Sequence, residues 1–122
     1  MDEYFDPEES LYRAVYPPEI ASMFWRKDGT ISSAAFADAN GLSVERGYFR
    51  DTHMVVASMQ KRFSGIIIAL QVSDCVFIHA IVRYLPSKNN PYHSEVHGSN
   101  SEPLLSKSQR LHLSRRAKIV SL

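Results

Sequence analysis

The chain has 122 residues, 44% of them hydrophobic, and a formal net charge of +1, an ordinary length and composition for one globular domain. A domain of this size buries about two thirds of its unfolded surface and needs neither a disulfide nor a structural metal to hold a core; its one cysteine, Cys75, has no internal partner. The longest apolar run, residues 66–70, is far shorter than the roughly 20 residues of a membrane-spanning helix, so no spanning segment is expected.

Charge is unevenly distributed. Asp2, Glu3, Asp6, Glu8 and Glu9 make the start acidic, whereas Lys107, Arg110, Arg115, Arg116 and Lys118 make the far end basic. An acidic start is the reverse of the cationic opening of a secretory signal, and a cytoplasmic location is expected. Residues 1–9 also carry Pro7 and little to bury, so they are expected to form a disordered, solvated tail, with a single α+β domain over residues 10–122.

Along the chain, residues 11–16 alternate in the β manner, and Pro17-Pro18 ends the stretch because neither can donate to a strand ladder. A short helix is expected over residues 19–25, since proline is tolerated in a first turn. Asp28-Gly29 is a turn signal, and residues 32–36 read as a serine-capped helical turn. Leu42, Ser43 and Val44 form a short apolar stretch before a polar loop at residues 45–51.

Thr52 is the expected N-cap of a helix running through Phe63, with Met59 and Phe63 on its apolar face and Gly65 as its stop. Residues 66–72 are β-branched and apolar, and residues 76–85 alternate; with only Ser73-Asp74 and Cys75 between them, the two runs are expected to pair as a central antiparallel hairpin, with Cys75 buried in a strand. Residues 86–91, PSKNNP, read as a loop, residues 92–97 as a further strand and residues 99–103 as a second loop. Leu104, Leu105, Ser108 and Leu111 mark one face of a final helix. The expected fold is α+β: a small mixed or antiparallel sheet with a central hairpin and two packed helices, which touch it through Met59, Phe63, Leu105 and Leu111.

The stretches LYRAVYPPE, RKDGTISSAAF, GLSVERG and NPYHSEVHG resemble a group of small uncharacterised bacterial proteins. These share an Arg, a DG-x-x-S-x-x-F stretch, a Leu-Ser-Val and an Asn-Pro-x-His segment ending in Gly. The likeness covers about residues 11–113 and is carried by Arg13, Asp28, Gly29, Ser33, Phe36, Leu42, Ser43, Val44, Asn90, Pro91, His93 and Gly98. It implies a bacterial origin and a shared fold, and no activity.

Several constellations bear chemistry. His93, Glu95 and His97 alternate, which puts all three on one face of a strand; two imidazoles and a carboxylate suit zinc or non-haem iron, and the alternative is a solvated edge-strand face. A divalent metal there is the one cofactor the sequence suggests. Arg13, Ser43 and Glu95 fall in the order of the arginine, strand serine and glutamate of some ADP-ribosyltransferases, where a guanidinium holds phosphate and a carboxylate stabilises positive charge; the alternative is an Arg13 stem packed along the core edge. Ser43, His93 and Asp28 can also be drawn as a hydrolase triad, without the G-x-S-x-G elbow.

No phosphate-cradling glycine motif is present. The basic C-terminal helix, with His112 among its cations, is a candidate nucleic-acid surface, although it lacks aromatic interleaving and cations also suit a helix C-terminus. Trp25 and Tyr48 are candidate protein-contact residues. The leading expectation is a non-catalytic interaction or accessory module acting beside another protein. The rivals are a small, metal-assisted or ADP-ribosyltransferase-like enzyme with its site at Arg13, Ser43, His93 and Glu95, and a nucleic-acid binder.

Overall fold

The computed structural model describes residues 1–121 as three helices and an open six-stranded sheet, an α+β fold. In chain order the elements are β1 (Ser10–Val15), β2 (Leu42–Arg46), α1 (Thr52–Gln60), β3 (Ile66–Gln71), α2 (Val72–Phe77), β4 (Ile81–Tyr84), β5 (His93–His97), α3 (Lys107–Arg116) and β6 (Lys118–Ile119). The strand order is β4-β5-β2-β1-β3-β6, and every neighbouring pair is antiparallel. None of the helices is long and apolar enough to cross a membrane.

Alternation along the strands divides the molecule into three layers. On one face Leu11, Val15, Leu42, Val44, Ile68, Leu70 and Val96 join Trp25, Phe36, Cys75, Leu105 and Leu113 in the main core. On the other, Tyr12 and Ile67 receive Val55 and Met59 of α1. Both β2 and β3 run antiparallel to β1 and flank it, so they are parallel to each other, and residues 47–65 form the crossover that carries α1 over β1.

The central hairpin expected from residues 66–72 and 76–85 is not formed. Three strands, β1, β2 and β5, lie between β3 and β4 in the order of the sheet, and β4 is at the far edge, paired with β5. Ser73-Asp74, read as a turn, is the first turn of α2: Asp74 accepts from the Gln71 amide, closing a capping box. Val72 and Cys75, three residues apart, enter the core as one helical face. His79, at φ 61°, then turns the chain back. Cys75 is therefore buried in a helix and not in a strand.

Smaller differences have local causes. Asp51, not Thr52, caps α1 by accepting from the Met54 amide, and the Thr52 hydroxyl pairs with Tyr12 Oη at 2.9 Å. Residues 19–25 hold only a 3-10 turn, Ser22–Phe24. Residues 45 and 46 belong to β2, not to a loop. Met59 and Leu105 are core residues as expected, whereas Phe63 and Leu111 are exposed. Gly65, at φ 138°, passes so close to β1 that a Cβ would stand 2.6 Å from the Val15 carbonyl oxygen, which only glycine accommodates.

Residues 1–9, read in the sequence as a solvated tail, lie against β2 through Arg46, a guanidinium with no exposed surface. Its Nε and Nη2 donate to Glu9 at 2.8 and 2.9 Å, and Nη1 and Nη2 donate to the Asp2 and Tyr4 carbonyls, each at 2.7 Å. The rings of Phe5, Tyr48 and Tyr84 surround it, with centroids 4.1, 4.6 and 5.0 Å away. A buried charge is tolerated only when paired and hydrogen-bonded, and here the partners come from the N-terminal residues. Glu9→Ala is accordingly expected to cost about 3 kcal/mol or more, while Glu8→Ala, on an exposed side chain, shifts stability by no more than about 0.5 kcal/mol; urea denaturation of both variants measures the difference.

Candidate functional site

The ladder between β1 and β2 contains only Leu11 opposite Arg46 and Tyr12 opposite Glu45. Beyond it the Arg13 side chain takes over the hydrogen bonding: Nε donates to the Ala35 carbonyl at 3.1 Å and Nη1 to the Ser43 carbonyl at 2.8 Å. Next to this junction is a cavity of about 260 Å³, walled by Arg13, Ser43, Glu45, Asn90 and His93 on its polar side and by Ala14, Met59 and Phe63 on its apolar side. Burial lowers the Arg13 pKa from its usual range and the field of Asp38 opposes the shift; the group stays protonated, as arginine does.

Three of the four candidate enzyme residues, Arg13, Ser43 and His93, thus line one cavity. Glu95 does not line it. Although it pairs with Ser43 in the β2–β5 register, its carboxylate accepts from His97 Nε2 at 2.8 Å and lies 3.5 Å from His93 Nε2. Among the described residues the Ser43 hydroxyl has no hydrogen bond to His93. Asp28 is held outside the cavity in its own turn, where the Thr30 hydroxyl and amide bind its carboxylate and depress its pKa. The residues of the drawn triad are therefore not assembled.

His93, Glu95 and His97 do share one sheet face, as their alternation required. The carboxylate nevertheless stands between the imidazoles and is engaged with each. Among the described residues no group of three His, Cys, Asp or Glu side chains is arranged to hold a metal ion.

The sequence reading gave no role to Glu45, Arg50 or Arg62 and named Asn90 only among the residues that carry the likeness. Glu45 is 2% exposed, and its carboxylate accepts from Arg62, from Arg50 at 3.1 Å and from Asn90 Nδ2 at 3.3 Å. Arg50 is itself fixed over the Tyr92 ring, 3.4 Å from the centroid. One signal was present in the sequence: the alternation of Leu42 and Val44 with Ser43 continues into Glu45 and ends at Gly47, so a strand two residues longer would have put Glu45 on the Ser43 face.

Trp25 is a core residue whose Nε1 donates to the Tyr16 carbonyl at 2.8 Å, and Tyr48 packs over Arg46. The basic C-terminal residues are mostly on the surface: Lys107, Arg115, Arg116 and Lys118 are exposed, while Arg110 donates to the Leu105 carbonyl. The chain gives no match to protein-family models, to curated proteins or to solved structures.

Cys75 is held as a thiol. Burial, with a smaller contribution from the Asp74 charge, pushes its pKa from 9.0 to about 12. Its folded value lies above its unfolded one, so the stabilisation is complete below pH 9.0 and is lost as pH rises from there towards about 12. At pH 8 the native protein is expected to react with a thiol reagent only as fast as it opens, since the thiolate is the nucleophile; labelling at the rate of a free cysteine would show that the side chain is accessible.

Proposed function

We propose that the chain is a non-catalytic bacterial interaction module, acting in the cytoplasm beside another protein. The observation that carries this reading is an apolar surface on α2 and α3. Val76 and Phe77 are 59% and 72% exposed, the Phe77 ring stacks on His112 with centroids 5.2 Å apart, and Leu111, the residue before His112 in the chain, is exposed as well. Contiguous exposed apolar side chains are characteristic of contact surfaces, whereas scattered single ones carry no such meaning.

The charges around this surface select the partner. On α3, Lys107, Leu111 and Arg115 recur at intervals of four and share a helical face, so cations lie on either side of the leucine. A matching partner offers apolar side chains flanked by carboxylates, because complementary charge sets specificity and encounter rate. The side chains proposed for an enzyme are less free. Arg13 is engaged with two carbonyls and Glu95 with two imidazoles, which supports the interaction reading over the catalytic one.

A photo-crosslinking residue at position 77 should capture a defined protein in the producing cells, and the same residue at position 63, on the opposite side of the sheet, should not. The purified captured protein is expected to bind the parent chain and to lose about tenfold in affinity to Phe77→Ser, a loss of 1.4 kcal/mol, with melting of the variant unchanged because the ring is already exposed. Equal binding by the variant would remove the α2–α3 surface from the interface. Binding of duplex DNA by the isolated chain, weakening with salt by about 0.9 in logarithmic slope for each neutralised phosphate, would replace the protein partner with a nucleic acid.

A further inference from the structure

The turn after β2 displays a side chain that the fold itself does not use. Phe49 is 92% exposed and belongs to neither hydrophobic core. Its backbone stands at φ 64°, a left-handed conformation that is unfavourable for a residue bearing a side chain. Tyr48, beside it, packs over Arg46, whereas the Phe49 ring meets the Tyr48 ring edge-on, with centroids 4.9 Å apart, and otherwise projects into solvent. Strained positions of this kind concentrate at binding and switch regions.

Carboxylates border this ring. Asp6, Glu8, Glu9 and Asp51 line with Phe49 a cavity of about 500 Å³, which takes in Tyr12 and Thr52 and so opens on the α1 side of the sheet. Glu9 is neutralised by Arg46. Asp6, Glu8 and Asp51 form no ion pair among the described residues, and the one cation on the wall, Arg50, is turned to Glu45 and to the Gly47 and Arg46 carbonyls. The α2–α3 surface, on the other side of the sheet, has the inverse composition. There Val76, Phe77 and Leu111 are exposed beside Lys107 and Arg115, which are exposed as well and form no ion pair among the described residues.

We propose that the acidic, Phe49-bearing turn of one copy of the chain docks on the α2–α3 surface of a second copy. Phe49 lies against Phe77 and Leu111, and the carboxylates around it face Lys107 and Arg115. The exposed rings act as anchors, and the opposite charges set orientation and encounter rate. A net charge of only +1, divided between an acidic start and a basic far end, suits a head-to-tail contact, since two like surfaces would meet with like charges. Because the two surfaces share no residue and lie on different sides of the sheet, the contact is heterologous and a pair does not close it. Each row of copies ends in one open turn and one open α2–α3 surface. The proposal rests on the reading of α2–α3 as a contact surface, and the terminal copy keeps that surface open for the different protein proposed above.

Sedimentation velocity of the purified full chain, over a concentration series at low and high salt, tests the assignment. The parent is expected to grow beyond a dimer as concentration rises and to fall back in high salt, which screens the rim charges. Phe49→Asn introduces a residue that tolerates left-handed angles, so the variant should melt no lower than the parent, yet associate at least about tenfold more weakly. Phe77→Ser should weaken association to the same extent. An equimolar mixture of the two variants should form a pair and stop there, because one supplies an intact Phe49 and the other an intact Phe77. A parent that stays monomeric at every concentration, Phe49→Asn protein that associates like the parent, or a mixture that forms no pair would each overturn the proposal. A monomeric parent that still binds the protein captured at position 77 would overturn the second copy alone, leaving the α2–α3 contact surface with a different occupant.

Discussion

Arg46 is a full positive charge with no contact with water, and much of the arrangement around it follows from that. An unpaired buried cation costs several kcal/mol, so the fold has to bring acceptors to it. Glu9 supplies two oxygens, and the Asp2 and Tyr4 carbonyls supply two more. The N-terminal residues, acidic and poor in core-forming side chains, are thereby drawn against the sheet. Tyr48 and Phe49 adopt left-handed backbone angles, φ 43° and 64°, a conformation that costs of order 1 kcal/mol or more for a side-chain-bearing residue. The Tyr48 ring against Arg46 and its amide on Glu9 at 3.2 Å offset that strain.

The same turn sets the neighbouring cavity. It directs Arg50 back towards β2, where Nη2 reaches both the Arg46 carbonyl and Glu45. Glu45 and Arg46 are adjacent in one strand and so face opposite sides of the sheet. Each is buried and each needs countercharge from elsewhere: Glu9 for the arginine, Arg50 and Arg62 for the glutamate. Three ion pairs, one on one face of β2 and two on the other, thus tie the N-terminal residues, the 47–51 turn and the segment just after α1 to the same pair of positions. Arg13 has a third role in this region, bridging the point where β1 and β2 lose their ladder.

The two sides of the sheet differ in what they leave exposed. Main-core packing beneath α2 and α3 consumes Val72, Cys75, Leu105 and Leu113, and the other sides of those short helices carry Val76, Phe77 and Leu111 into solvent. The opposite sheet face is covered by α1 only over Tyr12 and Ile67, because a nine-residue helix is about 14 Å long at 1.5 Å per residue and cannot span six strands at 4.8 Å spacing. Ser43, His93, Glu95 and His97 lie on the uncovered part. An apolar contact surface and a polar cavity therefore occupy opposite sides of one small domain.

What the amino-acid sequence determined by itself was local and periodic. The α+β class, the strands at residues 11–16, 66–72 and 92–97, the helix after residue 52, the 86–91 loop and the shared face of His93, Glu95 and His97 all rest on spacings that a few neighbouring residues express. Only the tertiary structure decided which strands pair. The run at residues 76–85 alternates as a strand should, yet the Gln71–Asp74 capping box and the burial of Val72 and Cys75 turn its start into a helix and send β4 to the other edge. Arg13, Ser43 and His93 come to line one cavity because β1, β2 and β5 are neighbours, a consequence of antiparallel pairings between residues 33 to 54 positions apart. Glu45 and Arg46 looked like loop residues because charged side chains are rarely buried, and their burial depends on partners at positions 9, 50 and 62 that no local window contains.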